Sequence, residues 1–597
     1  MQNIPQNSRA KKILLLYVLI VVVGFIIFLA TMLFIALKPR HIPSVYTSTL
    51  IHAKRGEIIT SDGYRVAITK KLYKAVVNRK FIKKDKEKMF VKLFSIYSNI
   101  KESIIKRRLY SKKGVVVLSY NIDVAQAQNL VHLSRELLML KVFKAIKNPY
   151  THIKTIQGLN IVPSGEARIY PFKTFLTPVI GYTHKVEQDG YTTVHGIKGL
   201  EKEYDNELSP RQNEIESGLR DANGYIILNG KSKIQRLENG LNLKLNISAN
   251  IQTRVENILD KMKKKFQAKQ ITAVIMNAHS GAILSMATSN RYFPQDILKR
   301  DYPSLKNSAT EFLYAPGSVL KPLTFSILLD KHLVNPYELV NGHNGVYHLG
   351  RMTIRDDTPF AWISAENVIV YSSNIGMSQL AQRLSALTFY NGLRKFGLTF
   401  KTGIDLPYEY SGSIPSVRQL QSKIYKATTS YGYGVRITLM QLIKAYNAFN
   451  NNGTEVTPKV ANGLISDQGT VTKIFSGAKQ RVISSSTASI MKNILIKTVT
   501  QGTGKAAITN GITIGGKTGT AHIVKNGGYI DQYNSTFIGF ADTKNKDLTI
   551  GVLVRQPHVR DYYAAGTAVP TFKKIVDMLI AQKYLNPDIV KKSGLSH

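Results

Sequence analysis

The sequence contains no cysteine. That absence excludes a disulfide framework, a thiolate-ligated zinc or iron–sulfur centre and a thiol nucleophile, and it suits an oxidising compartment. Acid is scarce as well: 38 Asp and Glu stand against 81 Lys and Arg, leaving a net charge of +43 over 597 residues. Such an excess favours an anionic partner, whether nucleic acid, phospholipid head groups or an acidic polymer. No Gly-rich phosphate loop and no His-Glu metal motif occurs, so no metal or nucleotide cofactor is expected. No fixed-period repeat is visible, which argues against a solenoid. With 44% hydrophobic and 20% charged residues, the chain is long enough for three or four folding units at about 150 residues each.

Charge is missing altogether from Ile13 to Leu37, a run of 25 residues. At about 1.5 Å per residue this run reaches roughly 37 Å, enough to cross a hydrocarbon core of about 30 Å with some tilt. A cleaved signal peptide would have only about 7–15 apolar residues and a small-x-small cleavage site, and no such site follows. The run therefore reads as a single-span transmembrane helix (13–37) behind a short tail (1–12). Arg9, Lys11 and Lys12 precede it, and Lys38 and Arg40 follow it; the flanking charge favours an N-terminus in the cytoplasm. Most of the chain is then outside the cytoplasm, which argues against a nucleic-acid partner.

Beyond the anchor, residues 41 to about 240 are mixed and Lys-rich. Val115–Leu118 reads as a strand, Ile122–Phe143 has helical spacing, and Gly190–Asp221 is polar and turn-rich. The run Lys83–Lys88 reads as a solvated face. A second unit begins near the turn dipeptide Asn239-Gly240. Leu241–Ile247 alternates, Ile251–Phe266 is an amphipathic helix, and Ile271–Met276 with Ala282–Met286 form a hairpin about His279-Ser280-Gly281. Near the other end, Thr513–Ile523, Ser535–Ala541 and Leu548–Arg555 read as three more strands joined by polar turns such as Asn526-Gly527-Gly528. Pro570–Lys583 reads as a closing helix with Pro at its first position, and 584–597 as a frayed tail. Strands at both ends with helices between them predict an α+β domain whose one antiparallel sheet is built from both chain ends.

Six serines have a lysine three residues on: Ser8, Ser98, Ser103, Ser318, Ser476 and Ser489. Only Ser318 follows Pro316-Gly317 and opens an apolar helical pattern (Leu320, Leu323, Phe325, Leu328). The helix N-terminus would favour developing negative charge at Ser318. The spacing puts the Lys321 amine on the same face, within reach of the Ser318 hydroxyl, and Pro322 is tolerated in the first turn. A second element is Ser372-Ser373-Asn374. A third is Lys517-Thr518-Gly519-Thr520, on a strand after Gly515-Gly516, a pair that would let another chain approach the backbone. Lys401-Thr402-Gly403 repeats those letters but runs into a turn ending at Pro407. Lys592-Ser593-Gly594 lies in the tail. Each match alone is weak: a helix cap, a loop or a β-turn explains it. The ordered trio is the pattern of penicillin-binding proteins and class A β-lactamases.

With this trio in place, the sequence resembles a class B penicillin-binding protein, a membrane-anchored peptidoglycan D,D-transpeptidase. The likeness extends over nearly the whole chain. It includes Arg55-Gly-Glu-Ile58, Arg168-Ile-Tyr-Pro171, Gly199-Leu-Glu-Lys-Glu-Tyr-Asp205 and Asn307. Tyr431-Gly-Tyr-Gly434 with Thr438 and Gln441 is similar to the septal, cell-division branch. Two departures stand out. Thr60-Ser-Asp-Gly63 replaces the family's Asp-Arg-Asn-Gly, and Val319-Leu320 replaces Thr-Phe; neither touches a reacting group.

The resemblance implies a non-catalytic pedestal of the dimerisation type over 38–240, elongated and mixed α/β. It implies a transpeptidase domain over 241–585, with a β-lactamase-like antiparallel sheet flanked by helices, and a tail over 586–597. It implies Ser318 as nucleophile, Lys321 as base made neutral by burial or by the charge of Lys517, and Ser372 as proton relay. Asn374 would hold a substrate amide, and Lys517, Thr518, Gly519 and Thr520 the terminal carboxylate, with an oxyanion hole from the N–H groups of Ser318 and Thr520. Implied partners are peptidoglycan stem peptides (a D-Ala-D-Ala donor and an amine acceptor), β-lactams, the membrane, a polytopic membrane glycosyltransferase and other division proteins. Arg55 and Glu57 would lie in the region coupled to that glycosyltransferase. The implied location is the inner membrane, single-pass, with the catalytic domain periplasmic. An elongation-type transpeptidase or a D-Ala-D-Ala carboxypeptidase is an alternative. A β-lactamase would need a deacylating Glu, and no Glu-x-x-Leu-Asn string lies between Asn374 and Lys517. A non-catalytic scaffold leaves the intact trio unexplained.

Overall fold

The computed structural model describes residues 7–37, 45–147, 154–188, 190–221, 225–525 and 528–588. Lys38, Arg40, the Asn526-Gly527 turn and the tail from 589 on, including Lys592-Ser593-Gly594, lie outside the described residues. The chain falls into two compact units, Met1–His52 with Gln212–Leu237, and Ala53–Arg211 with Glu238–His597.

In the first unit the uncharged run lies within one helix, Asn7–Leu37, long and apolar enough to cross a membrane. Its large apolar side chains are exposed all round, a surface stable only where a bilayer covers it. The helix is thus consistent with a single membrane anchor. The same unit holds a three-stranded antiparallel sheet of Tyr46–Ile51, Glu214–Leu219 and Lys233–Gln235.

In the second unit, a long strand, Arg65–Asn78, pairs with Val115–Ile122 and Leu159–Ile169. The helical spacing after Ile122 becomes Val124–Met139, entered through Asp123, whose side chain accepts the Gln126 N–H. In the Lys83–Lys88 run, Lys84, Asp85 and Lys88 are exposed and Lys83, Lys86 and Glu87 half-buried. The stretch 190–221 differs from its turn-rich reading. It holds the strand Tyr191–Lys198 and the short helices Gly199–Glu203 and Asp205–Leu208. Its glycines serve close packing: a Cβ on Gly196 would lie 1.8 Å from the Glu201 carbonyl oxygen, and Gly199 has φ +60°.

Three distant stretches meet in this part as a buried ionic cluster. Arg55 pairs with Glu201 at 2.9 Å and with Asp205 at 2.6 Å, and Arg168 pairs with Glu201 at 2.6 Å and donates to the Gly56 carbonyl at 2.7 Å. Arg55 is 0% exposed. Its side chain is therefore an internal tie.

The C-terminal sheet has five strands: β1 (Gln270–Asn277), β2 (Ile283–Thr288), β3 (Thr513–Lys525), β4 (Gly528–Thr543) and β5 (Lys546–Arg555), in the order β2-β1-β5-β4-β3, all antiparallel. Both chain ends contribute, as the strand pattern predicts. Side chains alternate between two cores: Ile271, Ala273 and Ile275 face the helices Ala249–Phe266 and Ala568–Ala581, while Val274 and Met276 join the core of Lys321–Asp330 and Leu439–Asn450. The closing helix starts at Ala568, so Pro570 is its third residue rather than its first. That position is still in the first turn, where no intrahelical N–H bond is lost. The segment 584–588 is packed rather than frayed. Leu585 is buried, Lys546 Nζ sits 3.6 Å above the Tyr584 ring, and the Asp588 N–H donates to the Gly511 carbonyl at 2.8 Å.

Candidate active site

Ser318 lies in a 3-10 turn, Gly317–Leu320, that runs straight into the helix Lys321–Asp330. The α-helix proper begins at Lys321, one tight turn later than the spacing suggests. Three glycines let backbones close around this turn. Gly317 has φ +61°, and a Cβ there would lie 3.2 Å from the Thr520 carbonyl oxygen. A Cβ on Gly432 would lie 2.2 Å from the Gly317 carbonyl oxygen, and one on Gly519 2.8 Å from the Pro316 carbonyl oxygen. The close approach therefore comes at Gly519. The Gly515-Gly516 pair instead makes room chiefly for the rings of Phe540 and Phe537. β3 is an edge strand, and its free side faces the serine turn.

Lys321 and Lys517 are both 0% exposed. Lys321 Nζ donates to the Ser372 carbonyl oxygen and, at 3.2 Å, to Ser372 Oγ. Lys517 Nζ donates to the same Ser372 Oγ at 2.9 Å, and to the Thr518 carbonyl and Oγ1 at 3.1 and 3.3 Å. Two amines thus share one hydroxyl. Thr518 Oγ1 lies 2.7 Å from Thr503 Oγ1, and Thr520 Oγ1 accepts the Ala564 N–H at 3.1 Å. Hydrogen bonds join Lys321, Ser372, Lys517 and Thr518. Backbone packing brings Ser318 beside Gly519 and Thr520. The Lys321 amine is bonded to Ser372 rather than to Ser318.

Asn374 begins the helix Asn374–Ala381, and its Nδ2 donates outward to the Arg355 carbonyl at 3.1 Å. Its link to the lysines is indirect, through the turn that carries Ser372. That turn rests on Asp356, which the motif search misses. Asp356 accepts the N–H groups of Asn374 and Ile375 at 2.5 and 3.1 Å and the Ser373 hydroxyl. The available signal was the acid pair Asp356-Asp357 in an acid-poor chain.

Burial pushes the Lys321 amine down to about 7, against the opposing pull of Asp356 and Asp357. Burial, and after it the charge of Lys321, pushes Lys517 well below the usual lysine range. The lowering of Lys321 comes chiefly from burial. A neutral Lys321 can satisfy both Ser372 acceptors with its two N–H groups and keep a lone pair for a proton. Beside the site lies a cavity of about 470 Å³, lined by Tyr314, Tyr433, His522, Asn534 and Arg555 among others.

The second trio, Lys401-Thr402-Gly403, is in a loop. Lys401 is exposed, and the Thr402 N–H and hydroxyl both donate to Glu409 Oε1, at 2.8 and 2.5 Å. Thr438 and Gln441, part of the septal-branch likeness, form a capping box at the head of Leu439–Asn450.

Residues 271–577 match the penicillin binding protein transpeptidase domain, and residues 50–245 the penicillin-binding protein dimerisation domain. The chain is 31% identical over 412 residues to a probable peptidoglycan D,D-transpeptidase PenA of Neisseria meningitidis, covering 68% of this chain and 67% of the relative. It is 30% identical over 439 residues to the stage V sporulation protein D of Bacillus subtilis, covering 71% and 66%. Among solved structures, penicillin binding protein 2X of Streptococcus thermophilus superposes with a TM-score of 0.74 at 21% identity, covering 90% of this chain and 81% of that one. Penicillin binding protein 3 of Mycobacterium tuberculosis, complexed with aztreonam, does so with a TM-score of 0.64 at 23% identity, covering 91% and 100%. These two share the fold. By its sequence, with a transpeptidase domain behind a dimerisation domain and the serine–lysine site described above, the chain belongs to the class B penicillin-binding proteins.

Proposed function

We propose that the chain is a peptidoglycan D,D-transpeptidase acting through a Ser318 acyl-enzyme. The observation that supports it most is the pair of buried amines, Lys321 and Lys517, meeting at the Ser372 hydroxyl beside the Ser318 turn. In this reading Ser318 Oγ attacks the carbonyl of the penultimate D-Ala and its proton passes to Lys321. The N–H groups of Ser318 and Thr520 stabilise the oxyanion; one such donor contributes about 10²–10³ in rate. The C–N bond breaks as Lys321 hands that proton through Ser372 to the leaving D-Ala nitrogen, which returns Lys321 to its neutral form. An amine of a neighbouring stem peptide then attacks the ester and gives a proton to Lys321, which passes it to Ser318 Oγ as the ester C–O bond breaks and the crosslink forms. The terminal carboxylate is held by Lys517, Thr518 and Thr520. Its negative charge favours the charged form of Lys517, which in turn disfavours a proton on Lys321. Asn374 presents its side-chain carbonyl to a substrate N–H.

We assign the septal role on the Tyr431–Gly434 likeness. The pedestal is taken as 38–240 and the catalytic domain as 241–585. We place the N-terminus in the cytoplasm and the catalytic domain in the periplasm, with a polytopic membrane glycosyltransferase as partner of the pedestal. Stoichiometric covalent labelling by a fluorescent penicillin, lost in Ser318→Ala, tests the chemistry. Rapid nitrocefin turnover, or labelling that survives that substitution, overturns it. A fluorescent fusion confined to the sidewall overturns the septal role.

A further inference from the structure

Ser372 is left-handed, with φ +65°, a conformation that a residue with a Cβ adopts only where its surroundings impose it. What surrounds it comes from another part of the chain. Asp356 follows the hairpin of Val346–Leu349 and Met352–Arg355. One carboxylate oxygen accepts the Asn374 N–H at 2.5 Å and the Ile375 N–H at 3.1 Å, and the other accepts the Ser373 hydroxyl. Ser373 Oγ in turn accepts the Gly376 N–H at 2.9 Å, and Asn374 Nδ2 donates to the carbonyl of Arg355 at 3.1 Å. The carboxylate thus sits on the open N–H groups of a helix start, where charge strengthens each bond.

We propose that Asp356 is a positioning residue for acylation: it clamps the left-handed turn that holds Ser372 Oγ between the amines of Lys321 and Lys517. The proposal rests on the serine-transpeptidase reading of the site. A second consequence follows from charge. The groups that face Lys321 are Ser372, Lys517 on β3, and the Asp356-Asp357 pair. Both acids draw its amine toward the charged form, against the burial that lowers it. Asp356 therefore sets both where the relay hydroxyl stands and how much neutral base is available at a given pH.

The test is the second-order rate of acylation by a fluorescent penicillin, measured on the detergent-solubilised full chain across the acidic limb of its pH profile, with thermal midpoints recorded in parallel. Asp356→Ala removes the clamp and lowers the plateau rate by about 10²-fold. Asp356→Asn keeps one acceptor oxygen for the two backbone N–H groups but removes the charge. It lowers the plateau less and moves the acidic limb to lower pH, because Lys321 loses a proton more readily. Asp357→Asn, which leaves the clamp intact, moves the limb in the same direction without lowering the plateau. If Asp356→Ala does not fold, Asp356→Asn carries the test. A labelled wild type whose Asp356 variants acylate within about twofold of it at every pH overturns the inference and leaves the proposed function standing. So does a rate loss that only follows a lowered thermal midpoint, with the limb unmoved. A wild type that is not labelled overturns both.

Discussion

Two clusters of buried charge lie in the same compact unit and obey opposite rules. In the dimerisation domain, Arg55 and Glu201 are fully enclosed and paired. Burial pulls the Arg55 guanidinium down, but the charges of Glu201 and Asp205 outweigh it and hold it above its ordinary value. Burial pushes Glu201 up, and Arg168 with Arg55 outweigh that and hold it low. The net effect on both groups there favours the charged state. At the active site, Lys321 and Lys517 are as deeply enclosed, yet among the described residues no carboxylate lies within ion-pair distance of either. Their bonds go to hydroxyls and carbonyls, and burial drives them toward neutrality. A buried ion that is paired holds structure, whereas one left unpaired is available to move a proton.

The comparison breaks most sharply at Lys321. Lys321→Arg keeps a buried cation but cannot release its proton near neutral pH. Penicillin acylation should fall by about 10²–10⁴-fold, the usual range for a lost general base, as read by stopped-flow labelling. Near-normal acylation by this variant would mean that a neutral amine is not required. Lys321→Met should lose activity equally while leaving the thermal midpoint unchanged or higher, since it replaces an unpaired buried amine by an apolar chain of similar length.

The dimerisation domain should respond in the reverse sense. Arg55→Met takes from buried Glu201 one of its two arginine partners, leaving Arg168, and takes from Asp205 its guanidinium partner, at a cost of up to about 3–5 kcal/mol in stability. Urea denaturation of the soluble portion should show it as a lower midpoint. Acylation per folded molecule should be unchanged. A stability loss under about 1 kcal/mol would show that the cluster is more hydrated than its geometry implies.

How much of this contrast the sequence discloses depends on how local each feature is. Ser318 is legible because Pro316-Gly317 and the apolar helix beside it lie within a few residues, and Lys517 because a strand pattern flanks it. The sheet shared by both chain ends follows from the apolar runs in Ile271–Met276 and Leu548–Arg555 and the turns beside them. The features that were missed depend on distant contacts. The bond between Lys517 and Ser372 spans 145 residues, that between Lys321 and Ser372 spans 51, and Asp356 clamps Asn374 across 18. No local pattern reports that Arg55 is buried against Glu201, 146 residues on. The glycines of 190–221 look like turns because composition does not separate a glycine that bends the chain from one that admits a neighbour.

The pH profile sharpens the contrast without a mutation. With Lys321 lowered from 10.5 to about 7, the neutral form of this proposed base disappears below about pH 7. Acylation should then drop by about tenfold per pH unit on the acidic side and flatten above neutrality. Between about 7 and 10.5 the unfolded chain carries a proton that the folded chain lacks, so this group makes the fold more stable as pH rises through that window. Arg55, held above its ordinary value, contributes no such dependence. A profile flat from about pH 5 to 9 would place the base elsewhere.

The smallest expected effect tests whether the motif letters or their burial matter. Lys401-Thr402-Gly403 repeats the letters of Lys517-Thr518-Gly519, but Lys401 is exposed and its threonine is occupied with Glu409. Lys401→Ala should change stability by no more than about 0.5 kcal/mol, as is usual for an exposed side chain, and leave acylation unchanged. Lys517→Ala should abolish acylation. The two lysines differ in the water around them: Lys401 is exposed, whereas the Lys517 amine is enclosed beside Ser372, where burial drives it toward neutrality. If Lys401→Ala impaired acylation by more than about twofold, burial would not be what separates the working trio from its copy.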